Sequence, residues 1–327
     1  MRILLTGAFG NLGANTLEKL LSRSKHDVTC FDMPNPRNEK EMQRLSGIGN
    51  FRTIWGDISD PEVVAQAVDG QECILHLAAI IPPVSEQAPE LAQRVNVEGT
   101  HNIVEAAKRQ KRPPKVVFTS SITVHGNRFS EPPPRKAHEP PQPTDNYTHS
   151  KVAAEKELME SGIEWTILRV GVALPVDVMG HNIVGSLGTS FGIPLEQRIE
   201  FVHPSDVATA IANSVEADTG GKILYLGGGK SCQMTNRHFQ AKLFQALGIG
   251  MVCEKAFRVP KDESDYWYTD FMDTEESQRL LRFQRHSFDH YIEDLKRAFG
   301  WRRIFTRPLG PIIRLWIVKY SPYYKTS

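Results

Sequence analysis

Along the first half of the chain, short aliphatic and β-branched runs alternate with longer stretches whose apolar positions recur every three or four residues. The runs at 2–6, 27–31, 52–55, 73–77, 115–120 and 165–169 predict strands; the stretches at 12–22, 38–46, 61–68, 92–110 and 146–161 predict helices. Strands alternating with helices are the pattern of βαβ units, hence of an α/β fold with a doubly wound parallel sheet. Asp60-Pro61 and Gly70 bracket one of the helices with the expected start and stop residues.

Two regions break the alternation. "EPPPRKAHEPPQP" at 131–143 holds six prolines and predicts a surface loop that is neither helix nor central strand. After Arg169 the rhythm weakens, which divides the chain into a dinucleotide-binding part, 1–169, and a smaller substrate lobe, 170–198 with 227–327. A segment at about 199–226 reads as one more helix and strand returned to the sheet.

Composition narrows the class. The 327 residues carry a formal charge of +1, which gives no reason to expect a nucleic-acid partner. Cys30, Cys73, Cys232 and Cys253 lie far apart, without metal-ligand spacing, and read as reduced thiols. With strand pattern beginning at Arg2 and no apolar run of membrane-spanning length, the chain reads as a cytoplasmic protein without a metal.

The chemistry begins at "LLTGAFGNLGANTL". Gly7, Gly10 and Gly13 follow a predicted strand and open a predicted helix, where a tight turn, close approach of a pyrophosphate and close helix packing each require glycine. Asp32, at the end of the second strand, suits the ribose hydroxyls and repels a 2′-phosphate, favouring NAD; Arg37 keeps NADP open. Tyr147 and Lys151 stand four apart at a helix start, hence on one face, where an ammonium is expected to lower the pKa of the phenol. Ser121, ending the strand "KVVFTSS", is positioned to hold the same substrate oxygen.

With these motifs in register, the chain resembles the extended short-chain dehydrogenase/reductases, the family of nucleotide-sugar epimerases and the 3β-hydroxysteroid dehydrogenase type. "TGAFGNLG" is similar to the family's TGxxGxxG and adds Asn11 and Leu12 to the expected cofactor contacts. "GDISD" nominates Asp57 and Ile58, and "HLAA" nominates Leu77, Ala78 and Ala79. "NVEGTHNIVEAA" nominates Asn96, and "YTHSK" is the YxxxK pair. The resemblance implies Ser121, Tyr147 and Lys151 as catalytic residues. Ile80, Ile81, Ser121, Thr123 and Val172 are the expected substrate contacts, with Ile80–Pro83 an apolar roof. His125, where the family usually has Tyr, reads as a packed or hydrogen-bonded residue behind the site. Val172 replaces the asparagine that contacts a diphosphate in the epimerases.

The expected function is NAD-dependent hydride transfer with a secondary alcohol or ketone, Tyr147 acting as acid and base. A nucleotide-sugar 4-epimerase with transient NAD reduction is the alternative, and a non-catalytic NAD(P)-sensing protein stands behind both. The expected partners are a small-molecule substrate and a second copy of the chain, as a homodimer. From Lys296 onward eight Lys or Arg residues interleave with Trp and Tyr, and no Asp or Glu occurs. The favoured reading is a helix packing its apolar face on the domain or on a second copy; peripheral membrane contact is the alternative.

Overall fold

The apolar runs form the centre of a seven-stranded parallel sheet in this computed structural model, which describes residues 1–177 and 190–324. In chain order the N-terminal elements are β1 (Arg2–Thr6), α1 (Asn11–Arg23), β2 (Asp27–Asp32), α2 (Pro36–Ser46), β3 (Arg52–Trp55), α3 (Pro61–Val68) and β4 (Cys73–His76). They continue with α4 (Gly99–Lys108), β5 (Lys115–Ser121), α5 (Asn146–Glu160) and β6 (Trp165–Val170). After β7 (Arg198–Glu200) come α6 (Pro204–Ser214), β8 (Lys222–Leu226), β9 (Gln233–Thr235) and α7 (Asn236–Ala246), then α8 (Glu275–Leu281), α9 (Phe288–Phe299) and α10 (Arg302–Ile317).

The sheet order is β3-β2-β1-β4-β5-β6-β8, and every neighbour is parallel. The order reverses between β1 and β4, the switch point where a doubly wound sheet opens a crevice at its strand ends. Apolar clusters cover both faces. Leu17, Leu20 and Leu21 of α1 pack with Val207 and Ile211 of α6 on one side; Val64 and Ala67 of α3 pack with Ile103 and Ala107 of α4 on the other.

The expected strands and helices form within one or two residues of their predicted ends, with one exception. α2 starts at Pro36 because the Asn35 side chain accepts from the Asn38 amide and Pro36 fits the first turn. The helix expected over 92–110 is interrupted: Gln93–Glu98 winds as a π-helical stretch before α4. That stretch presents Asn96 inward, with consequences for the site.

The proline-rich segment forms no helix or named strand, yet it is not purely a surface loop. Arg135 is buried within it, because its guanidinium pairs with the carboxylates of Asp270, Glu131 and Glu139. The returning helix and strand, α6 and β8, form as expected. β7 and β9 make a separate antiparallel pair. Part of the expected substrate lobe, 178–189, lies outside the described residues.

The tail is helical, and it packs one side on the domain as expected while leaving much of its apolar surface uncovered. α10 buries Gly310 and Ile317 and packs Ile313 into a small cluster with Phe244 and Val252. Its other apolar side chains, Ile304, Phe305, Ile312, Leu315 and Trp316, are 48–70% exposed. Among the described residues, no helix is long and apolar enough to cross a membrane.

Candidate active site

The strand-to-helix turn after β1 is built so that only glycine fits at two of its three positions. Gly7 has φ +64°, and a Cβ there would lie 2.8 Å from the Ala78 amide nitrogen. A Cβ on Gly13 would lie 2.0 Å from the Gly7 carbonyl oxygen, so its absence lets α1 close on the turn. Gly10 differs: a Cβ there meets only the Gly7 oxygen, at 3.3 Å. Its open side faces a cavity of about 690 Å³, which Gly7, Gly13, Asn11 and Leu12 also line. The start of α1 carries no side-chain cap, which leaves amide N–H groups directed at that space. These features fit the pyrophosphate of a dinucleotide.

Asp32 ends β2 beside this turn. Its Oδ2 accepts from the Phe9 amide at 2.9 Å, and its Oδ1 accepts from Met33 at 2.9 Å and Asn38 Nδ2 at 3.1 Å. Burial pushes the carboxyl pKa up, against those amides and the nearby Arg37 charge. Oδ1 already accepts twice, so Oδ2 keeps the acceptor capacity for a ribose hydroxyl. Arg37 lines the cavity itself.

The other expected cofactor residues divide. Leu77 and Ala79 line the cavity, whereas Ala78 packs its backbone under Gly7 and donates its amide to Thr6 Oγ1. Asp57 and Ile58 are not on the cavity wall: Asp57 caps its own turn through the Ser59 amide, and Ile58 is a core side chain against Gly99. Asn96 is buried and acts as a clamp. Its Oδ1 accepts from the Ile80 amide at 2.7 Å, and its Nδ2 donates to the Ile80 carbonyl and to Ser150 Oγ, both at 2.9 Å. It therefore ties the loop after β4 to α5.

β5 and α5 deliver the chemical groups. The Asp145 side chain caps α5 through the Thr148 amide, fixing where the helix begins. Tyr147 and Lys151 then share one face, and both line the cavity with Thr119, Ser120 and Ser121. Lys151 is buried; its Nζ donates to the Thr119 carbonyl at 2.9 Å and stands 5.9 Å from the centre of the Tyr147 ring. Burial pulls the lysine down to about 8. Burial also pushes the Tyr147 phenol up, opposed by a hydrogen bond with Ser121. The Tyr147 pKa is thus raised and not lowered as expected: desolvation dominates, the Asp145 charge adds to it, and the Ser121 hydrogen bond opposes them.

Ser121 Oγ accepts from the amide and hydroxyl of Thr123, at 3.2 and 2.8 Å. Thr123 therefore orients Ser121 and does not reach the cavity wall. Ser120, missed by the sequence reading, lies on that wall with its buried Oγ unpartnered among the described residues. His125 is packed behind the site as expected. Its Nε2 accepts from Arg169 at 3.0 Å and lies 2.5 Å from the Tyr225 hydroxyl, and burial drives the imidazole down to about 3.

The substrate end departs most from expectation. Ile81 lines the cavity, but Ile80 is held through its backbone by Asn96. Val172 bridges to Phe201 and packs into the smaller lobe's core; Ala173, Leu174 and Pro175 form the wall in its place. The same apolar end is lined by Leu243, Phe244 and Leu247 at the end of α7, with Tyr291 and Leu295 of α9. This apolar wall was unforeseen, although the three- and four-residue apolar spacing in "HFQAKLFQAL" was a usable signal.

Known proteins agree with this architecture. A UDP-glucuronic acid 4-epimerase from Bacillus cereus, solved with UDP-glucuronic acid and NAD, superposes with a TM-score of 0.74 at 20% identity, over 91% of this chain and 99% of that one. A dTDP-glucose 4,6-dehydratase from Streptomyces venezuelae, solved with NAD, gives 0.76 at 23% identity over 94% and 100%. In sequence, a 3-beta-hydroxysteroid dehydrogenase from Mycolicibacterium neoaurum is 33% identical over 187 residues, 55% of this chain and 48% of the relative. The chain thus spans about half the length of that curated relative. The model of the 3-beta hydroxysteroid dehydrogenase/isomerase family matches residues 4–168. Glycine turn, tyrosine–lysine pair and half the chain's length fall inside that match, and the protein belongs to the 3-beta hydroxysteroid dehydrogenase/isomerase family, among the extended short-chain dehydrogenase/reductases.

Proposed function

We propose that the protein is an NAD-dependent oxidoreductase acting on a secondary alcohol or ketone of low polarity, a hydroxysteroid-like compound. The observation that carries this reading is the cavity itself: Ser121, Tyr147 and Lys151 line it together with the glycine turn, and much of the remaining lining is apolar. Residues 1–169 and 199–226 form the dinucleotide-binding part in this reading, with 170–198 and 227–327 as the substrate lobe. NAD bound along the turn supplies the two-electron exchange with the substrate carbon.

The chain's own groups handle the oxygen and its proton. Ser121 Oγ holds the substrate oxygen by hydrogen bond. Tyr147 gives its phenolic proton to that oxygen in reduction and takes it back in oxidation. The phenol is protonated at neutral pH at its ordinary value of 10 and burial raises it further, so the resting tyrosine holds the proton that reduction of a carbonyl requires. Lys151 carries the nearby positive charge that favours the phenolate once the proton has left. The wall of Leu174, Leu243 and Leu247 excludes water and favours a hydrophobic substrate body.

A nucleotide-sugar epimerase uses the same three residues and remains the second reading, supported by the likeness to the epimerase fold. Val172 does not separate the two, because it is not on the wall; the apolar residues that do line the cavity favour the dehydrogenase. Following NADH absorbance with NAD and a hydroxysteroid tests this. Stoichiometric NADH formation, reduced about 10²–10⁴-fold by Tyr147→Phe, is the expected result. Inversion of a UDP-sugar without net NADH would select the epimerase. Homodimer formation and a cytoplasmic location belong to the same proposal, the latter supported by four free cysteines; light scattering of the purified chain checks the dimer.

A further inference from the structure

The exposed face of α10 is continuous. Trp301, Phe305, Ile312 and Trp316 recur at helical spacing, flanked by Ile304 and Leu315, and all six are exposed. The opposite face is fixed to the protein by Gly310, Ile313 and Ile317, by Thr306 Oγ1 donating to the Leu247 carbonyl at 2.6 Å, and by Arg314 Nη1 donating to the Ile249 carbonyl at 2.6 Å. An apolar stripe of this kind on a firmly held helix needs an occupant.

We propose that α10 is an interfacial helix that docks the enzyme on an anionic lipid surface, with its axis in the plane of the leaflet. This goes beyond the catalytic reading and does not depend on it. Charge selects the occupant. Arg302, Arg307 and Lys319 are exposed beside the stripe, and no carboxylate occurs between Lys296 and Ser327. Anionic headgroups complement such a rim, whereas a second copy of the helix would bring like charges together. Tryptophans at both ends, Trp301 and Trp316, suit the boundary between headgroup and acyl chain. At 16 residues the helix is about 24 Å long, too short to span a bilayer, and Pro308 and Pro311 each remove an internal hydrogen bond. Both properties suit a helix lying at the interface, where water reaches the freed carbonyls.

The docked face is one helix layer from the cavity. Leu247 lines the apolar wall with its side chain and accepts from Thr306 of α10 with its carbonyl; Phe244 lines the same wall and packs in one cluster with Ile317. Docking therefore brings the apolar wall close to the lipid.

Sedimentation of the full chain with phosphatidylcholine vesicles, with and without phosphatidylserine, tests the proposal. Binding is expected to be at least roughly tenfold tighter with phosphatidylserine and to weaken as salt is added. The variant Phe305→Glu/Ile312→Glu/Trp316→Glu should stay in the supernatant while keeping wild-type thermal unfolding. Arg302→Gln/Arg307→Gln/Lys319→Gln should lose the preference for phosphatidylserine. The proposal is overturned if the wild type binds neither vesicle, if the glutamate variant still sediments, or if that variant splits a wild-type dimer that never sediments.

Discussion

α1 and α10 are both amphipathic helices, and they differ in what covers the apolar side. α1 places Leu17, Leu20 and Leu21 against the sheet and α6, buried to within a few per cent. α10 turns Ile304, Phe305, Ile312, Leu315 and Trp316 outward and anchors itself through a glycine, two isoleucines and two polar contacts. Periodicity announces that a helix has an apolar face; it carries no information about whether protein, a second copy or lipid completes that face.

Substitutions in the sheet-bound region should be costly and those on the tail nearly silent. The largest effect is expected behind the active site, where the buried Arg169 guanidinium pairs with Glu155 at 2.9 and 2.7 Å. Glu155→Ala leaves that charge without its partner and should cost about 3–5 kcal/mol in denaturant unfolding. A loss below about 1 kcal/mol would show that water or another acid replaces it. Leu17→Ala, on the covered face of α1, should cost about 2–5 kcal/mol by the same measurement.

Acid should act through the sheet as well. His76 is fully buried between Thr6 and Thr100, and burial, aided by the Lys151 charge, holds it down to about 3. The unfolded chain takes up that proton near its ordinary value of 6.5, whereas the folded chain does not until about 3. Stability attributable to His76 therefore falls as pH drops from 6.5 towards 3, by about 2 kcal/mol at pH 5. His76→Gln should flatten this slope between pH 7 and 5, and an unchanged slope would move the effect to other groups. The smallest change is expected at the tail: Ile312→Ser should shift stability by no more than about 0.5 kcal/mol. A larger loss would mean that protein, in this chain or a second copy, covers the face.

The contrast also explains how far the sequence could be read. The glycine turn, the Tyr147–Lys151 face and Ser121 at a strand end were legible because each depends on a few neighbouring residues and one element boundary. Asn96 was found for its position, but its clamp on Ile80 depends on a π-helical stretch that no local spacing announces. Val172 was misplaced because it bridges to Phe201 and packs into the smaller lobe's core, partners that only the tertiary fold brings to it. The far wall comes from α7 and α9, more than sixty residues beyond β6, so only the tertiary fold brings it to the site. The tyrosine's pKa failed for a related reason: spacing shows the lysine, but burial sets the balance.

Because Leu247 belongs at once to the cavity wall and to the seat of α10, the two surfaces share one piece of backbone. Thermodynamic reciprocity then binds them. If vesicle docking tightens the hold of a compound in the apolar end of the cavity by some factor, that compound must tighten docking by the same factor. Filling the cavity would in that case draw the protein to the lipid surface, and emptying it would loosen that hold again.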